Sequence, residues 1–228
     1  MSEAHNGTRP RYKIDLGCGA RKVKGALGVD NAAIESVDVV ADLNGGLPFK
    51  DGSIDTVYVY HILEHLDDFL ATMNEIWRVC RHGALVYVKV PHAASSFVTW
   101  KDPTHRRGLS IATFAYFDST YFDGAAFYYY SKARFRIEKA RLNFTLSGRP
   151  EYAPVNPSLF RRTTNALFHA LANRNRRWQY FCERFWGPVV GIEEAELVMR
   201  AIKDDADGAG DGTGANVAPA AAPGSPLA

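Results

Sequence analysis

The chain has 228 residues, 46% of them hydrophobic, and 27 basic against 25 acidic side chains leave a formal charge of +2. That length buries one good core, so a single globular domain with appendages is expected, and the near-neutral balance excludes a dedicated polyanion binder, which needs many basic contacts. No run reaches the roughly 18 apolar residues of a membrane span and no apolar leader opens the chain, while Cys18, Cys80 and Cys182 form no C-x-x-C pair and leave one thiol unpaired in any disulfide scheme, as suits the cytoplasm.

Residues 1–10 are polar and unpatterned, and 207–228 are mostly Ala, Gly, Pro and Asp; both are expected to be disordered tails around a domain over 11–206. The domain opens on Lys13-Ile14-Asp15-Leu16-Gly17-Cys18-Gly19, a buried strand breaking into a glycine turn, followed by Leu27-Gly28-Val29-Asp30, a second strand ending in a carboxylate. Gly17 and Gly19 allow a ligand close to the backbone where the chain leaves the sheet. Asp30 would accept hydrogen bonds from a ribose diol, so a nucleoside cofactor is the natural occupant. A dinucleotide fingerprint needs a third glycine and a later acid, but Lys22 stands where that glycine belongs. Asp15, just before the turn, would repel a pyrophosphate and suits a cationic sulfonium. The combination points to S-adenosylmethionine.

Further strands are predicted at Val37–Ala41, Ile54–Tyr60, Ala84–Val90, Phe135–Phe144 and Ala195–Ile202, the last two as an antiparallel pair. The clearest helix is Asp67–Cys80, with Phe69, Met73, Ile76, Trp77 and Cys80 on one stripe, acids at its N-terminus and Gly83 as its expected stop. Two insertions interrupt the alternation and are expected to carry substrate specificity. The first, 92–132, is dense in aromatics; the second, 156–186, opens with Asn156 as N-cap and Pro157 as first helical residue. Phe160, Thr163, Leu167, Ala170 and Leu171 are predicted to share one face of that helix.

Taken together these motifs resemble a class I S-adenosylmethionine-dependent methyltransferase, of the small-molecule group called methyltransferase type 11, over Tyr12–Val90. The resemblance implies an α/β, Rossmann-like methyltransferase sheet, mostly parallel with an antiparallel final strand at Ala195–Ile202. The short stretch from Gly19 to Asp30 implies a shortened first helix. The acidic-x-Gly-x-Gly signature falls on Asp15, Gly17 and Gly19, the ribose acid on Asp30, and the aspartate near the adenine amino group on Asp42 with Leu43 beside it. Leu47–Asp55 resembles the lead into the fourth strand, and Tyr60 with His61-Ile62-Leu63-Glu64-His65 the cofactor-lining segment after it.

A methyl group on a sulfonium is already a strong electrophile, so alignment and exclusion of water carry most of the catalysis. A general base helps where the acceptor is a hydroxyl. His105, in Asp102-Pro103-Thr104-His105-Arg106-Arg107, is the expected base; His65, His61 and His92 are further candidates at strand ends. The expected acceptor is a hydroxyl or amine of a small molecule, glycan or lipid-linked compound.

Competing readings stay open. His61-Ile62-Leu63-Glu64-His65 also spells H-x-x-E-H, a zinc-peptidase pattern, but a helix start at Leu66-Asp67-Asp68 sets His61 near a strand end, and no metal is expected. Arg161, Arg162, Arg174, Arg176, Arg177 and Arg184 among aromatics suit a nucleic-acid methyltransferase, although Tyr60-His61-Ile62-Leu63 replaces the Asn/Asp-Pro-Pro-aromatic motif of amino-directed base methylation. The same helix equally suits a lid, a homodimer contact or an interfacial helix meeting a lipid-linked substrate. A binding protein that keeps the pocket without turnover is the remaining alternative.

Overall fold

The computed structural model describes residues 11–121, 130–144, 159–187 and 192–203. Seven strands form one sheet: β1 (Lys13–Leu16), β2 (Leu27–Asp30), β3 (Val39–Val40), β4 (Ile54–Tyr60), β5 (Cys80–Pro91), β6 (Phe135–Asn143) and β7 (Glu194–Ala201), in the order β3-β2-β1-β4-β5-β7-β6. β1 through β5 pair in parallel, and β7 runs antiparallel to both neighbours. The strand order reverses direction between β1 and β4, which makes the carboxyl ends of these strands a topological switch point. Open α/β sheets bind ligands there.

β1 is buried over Ile14–Leu16 because it lies between β2 and β4. On β4, Ile54, Val57 and Val59 are buried while Tyr58 and Tyr60 keep partial exposure. The reason is topological: the β1–β2 and β2–β3 connections, residues 17–26 and 31–38, are turns with no helix. The first helix is therefore missing where a shortened one was expected. On that thinly covered face Tyr58 stacks on Tyr87 with ring centroids 5.3 Å apart, and Lys89 lies 5.3 Å from the Tyr60 ring centroid.

The opposite face is covered by α1 (Phe69–Val79), which buries Thr72, Met73, Ile76 and Val79. Asp68 caps it by accepting the Ala71 N–H at 2.9 Å. Gly83 does not stop this helix. The chain turns at Cys80 straight into β5, and Gly83, at φ 77°, sits where the pairing register of β4 and β5 shifts, with its carbonyl accepting Arg200 Nη1.

After β5 come α2 (Ser96–Trp100) and α3 (Ile111–Ala115), the latter opened by a Ser110–Thr113 capping box. Three of this insertion's described aromatics are core, while Trp100 and Tyr130 are exposed. Phe114, Phe117 and Tyr121 are fully buried, with Phe69 and Phe135 packed against Phe117. The second insertion holds α4 (Leu159–Ala172), α5 (Arg176–Phe181) and a π-helical turn, Cys182–Trp186. Asn156 and Pro157 lie outside the described residues, as do both tails. On α4 three residues of the predicted stripe face outward: Thr163, Leu167 and Ala170 are exposed and Leu171 is half-buried, while Phe168 and Ala172 face inward; the Phe160 side chain lies outside what the structure describes.

The cause of that rotation is the edge strand. Asn173 donates to the Leu142 carbonyl and accepts the Leu142 N–H, Gln179 donates to the Ala140 carbonyl, and Arg176 to that of Ile137. These bonds occupy backbone groups that β6 would otherwise expose as an unpaired edge. Register with β6, rather than apolar area, sets which side of α4 turns in.

Candidate active site

The glycine turn divides its two glycines. At Gly17 (φ 65°) a Cβ would stand 2.5 Å from Ile62 Cγ1, so this glycine makes room for Ile62 rather than for a ligand. At Gly19 (φ 48°) nothing lies within 4 Å of that position. The bare ledge is Gly19. Its N–H donates to Asp30 Oδ2 at 2.9 Å, and the Ala32 N–H donates to Asp30 Oδ1 at 3.1 Å, which fixes the carboxylate at the end of β2. Each oxygen keeps lone-pair capacity for a diol. Asp15 is buried and accepts the Val23 N–H at 2.7 Å; burial pushes its carboxyl up despite that bond and the Lys22 charge. Asp42 caps the short 3₁₀ turn Leu43–Gly45 by accepting the Asn44 N–H, with Leu43 buried behind it.

Tyr60 departs from this group. It lines a 230 Å³ cavity over the sheet with Tyr87, Lys89, Arg141 and Glu196, and burial pushes its phenol up to about 12. A 420 Å³ cavity lies nearby between β6 and α5, lined by Tyr121, Arg141, Asn173, Arg176 and Gln179.

Beyond β4 the chain makes a strained corner. His61, at φ 54°, is the one non-glycine residue with positive φ among the described residues, a conformation that costs of order 1–3 kcal/mol. Its N–H donates to the Lys89 carbonyl, and its ring meets two buried carboxylates: Nε2 lies 2.8 Å from Glu194 Oε2 and Nδ1 3.6 Å from Glu64 Oε1. The Glu194 approach is an ion pair whose angle falls short of a hydrogen bond. Burial opposes charging the ring, but the two carboxylates outweigh it and push His61 up to about 9. The same partner holds Glu194 low against its own burial.

This corner brings together His61, His65 and His105. Arg106 N–H donates to the Glu64 carbonyl and Arg107 to that of Asp67, docking 102–107 onto 61–67. His105 Nδ1 lies 2.5 Å from the Thr99 carbonyl and its Nε2 3.9 Å from Glu64 Oε1; the His65 and His105 rings are 4.6 Å apart. His92 is not part of the cluster. Its Nδ1 accepts the Ala94 N–H and its Nε2 faces Glu183 at 2.9 Å, a fully engaged structural histidine. The peptidase arrangement is absent: residues 61–66 form no helix, and the His61 ring goes to Glu194 instead of pairing with His65. Glu194 and Thr99 escaped sequence reasoning because their contacts depend on how β7 and α2 return to this corner, which no local spacing encodes.

An open α/β sheet in the order 3-2-1-4-5-7-6 with β7 reversed, a bare glycine ledge and an acid ending β2 resembles the arrangement of class I S-adenosylmethionine-dependent methyltransferases. Residues 12–88 match the family described as Methyltransferase domain, a segment that spans β1 through most of β5. Comparison with curated protein sequences found no match. Among solved structures the chain is similar to the complex between the Haloferax volcanii Trm112 methyltransferase activator and the putative methyltransferase, at 15% identity over 85% of this chain and 83% of that one, TM-score 0.49. It is similar to a SAM dependent methyltransferase from Archaeoglobus fulgidus at 15% identity, 83% and 86% coverage and TM-score 0.47. The YcgJ protein from Bacillus subtilis follows at 15%, 85% and 93%, TM-score 0.49. No helix among the described residues is long and apolar enough to cross a membrane.

Proposed function

We propose that this enzyme methylates a hydroxyl or amine of a small-molecule acceptor, with glycan and lipid-linked compounds inside that class. The observation that supports the proposal is the corner at the carboxyl end of β4, where His61, His65 and His105 meet the buried carboxylates of Glu64 and Glu194. These groups would serve an acceptor brought to the carboxyl ends of the strands. Asp15, Gly19, Asp30, Asp42, Leu43 and His61 are the proposed cofactor residues: Asp30 for the ribose, Asp42 and Leu43 for the adenine, Asp15 for the positive end; Gly17 supports the turn by making room for Ile62, and Tyr60 faces the cavity over the sheet instead. When bound, S-adenosylmethionine supplies a methyl group on a cationic sulfur. His105 is the proposed base, its Nδ1 committed to Thr99 and its Nε2 facing the Glu64 and Asp102 carboxylates at 3.9 and 4.0 Å; His65 is the second candidate.

A lipid-linked acceptor draws support from the π-helical turn. Phe181 and Phe185 are 39% and 56% exposed beside exposed Arg177 and Arg184, and Glu183 of the same turn holds His92 at the end of β5. Nucleic acid is disfavoured because Arg176 is spent on Tyr121 and the Ile137 carbonyl. A cytoplasmic location suits the three buried free thiols. The test is incubation with methyl-labelled donor and separate panels of small-molecule, glycan, lipid-linked and nucleic-acid acceptors. Label in one of the first three is expected; label in nucleic acid alone would overturn the proposal.

A further inference from the structure

Among the described residues, the Glu64 carboxylate is buried, 1% exposed, with neither oxygen satisfied by a hydrogen bond. A buried ionised carboxylate without hydrogen bonds is strongly disfavoured unless a cation compensates it. His61 does so only in part, since its closer carboxylate is Glu194 at 2.8 Å and Glu64 lies at 3.6 Å.

What else faces Glu64 is a pair of histidines. One donor atom from each of Glu64, His65 and His105 lies within 4.8 Å of the others. Ligands about 2.1 Å from a first-row cation are about 3.0–4.2 Å apart, so the three close on an ion with shifts below an ångström. The hydrogen bonds of both rings fix the tautomer that leaves Nε2 free to ligate. His105 Nδ1 donates to the Thr99 carbonyl at 2.5 Å, which leaves the lone pair on Nε2, the nitrogen nearer Glu64. His65 Nδ1 meets Thr104 Oγ1 at 2.8 Å, and that hydroxyl donates its own proton to Asp102 Oδ1 at 2.6 Å. Thr104 therefore accepts from His65, leaving the lone pair on Nε2 there too. A second tier that fixes tautomer and ring plane is what supports metal-bound imidazoles.

We propose that Glu64, His65 and His105 bind a divalent first-row transition cation. Two imidazoles and one carboxylate favour Mn²⁺, Fe²⁺, Co²⁺ or Zn²⁺ over Mg²⁺, which prefers an all-oxygen shell. Three protein ligands leave positions for an acceptor oxygen. The inference deepens the reading of this corner as the acceptor site and rests on it only for the ion's role: His105 becomes a ligand, and a bound hydroxyl loses its proton to solvent because the cation lowers its pKa. The expectation of no metal is thereby replaced. The H-x-x-E-H pattern supplies two ligands, but the third is His105 and not His61.

The test uses the full chain, free of any purification tag and treated with chelator, titrated with Co²⁺ and followed by visible absorption and calorimetry. One equivalent is expected to bind. His65→Ala and His105→Ala should each weaken binding at least 100-fold, Thr104→Val by about 10-fold, and His82→Ala, an exposed histidine remote from the corner, should leave it unchanged. Glu64→Gln should also abolish binding; because that site is buried, the partly exposed His65 serves if the variant fails to fold. No binding at 1 mM Co²⁺, or wild-type affinity in folded His65→Ala and His105→Ala, would overturn the proposal. S-adenosylhomocysteine binding is measured on the same samples: its loss with Co²⁺ binding intact would count against the methyltransferase site alone.

Discussion

At the residue scale the two turn glycines separate folding from binding. Gly17→Ala would force a methyl group against Ile62 at a positive φ, combining overpacking with backbone strain, and should destabilise the protein by about 2–4 kcal/mol. Gly19→Ala meets open space, so only the backbone term of about 1 kcal/mol applies. Its effect should fall on the cofactor instead. Thermal melts and calorimetry with S-adenosylhomocysteine check both: the first variant should melt lower, and the second should melt near wild type yet bind the product at least 10-fold more weakly. Asp30→Ala should also cost about 10-fold or more in that affinity, since it loses charge-assisted bonds to ligand and the anchor of Gly19. Unchanged affinity would contradict its assignment to the ribose.

At the element scale α1 does more than cover the sheet. Arg78 in its last turn donates to the Leu47 and Phe49 carbonyls, to Glu75 and to Asp51, while Glu75 accepts the Leu47 N–H. The pair fixes the segment that leads into β4. Asp51 is 78% exposed and adds little, so Arg78→Ala should cost about 2–3 kcal/mol, mostly from the stranded carbonyls and Glu75. The hydrogen bond from Arg78 holds the Glu75 carboxyl below its ordinary 4.5, against partial burial and with help from the Leu47 N–H. A depressed carboxyl stabilises the fold above its unfolded pKa and loses that contribution as pH falls through the folded one. Melting temperature should therefore drop below pH 4.5, and Glu75→Gln should flatten that drop while lowering the plateau at neutral pH. α1 was readable from its stripe and its Asp68 cap because both are local. α4 was not, since its inward side is set by Asn173 meeting Leu142 across the β6 edge.

At the scale of the whole molecule, a parallel sheet and a reversed final strand were legible because each strand carries its own apolar run between turn residues. Ile54–Tyr60 reads from sequence with the bounds it has in the fold. The Asp15-to-Asp30 turn was legible for the same reason: two short strands and the glycine turn between them hold Gly19 and the Asp30 carboxylate that accepts its N–H. The histidine corner beyond β4 was half legible. His61, His65 and His105 stood out as titratable groups at strand ends and loops, but Glu194 on β7 and the Thr99 carbonyl on α2 join them only through the closed topology. Nor does any spacing show that two connections lacking helices leave Tyr58, Tyr60 and Tyr87 thinly covered on one side of the sheet. The cofactor crevice remains the part on which every functional statement stands. Calorimetric titration of the full chain with S-adenosylmethionine and with S-adenosylhomocysteine tests it most directly: saturable binding of one equivalent of each is predicted, and the absence of binding to both would contradict the account.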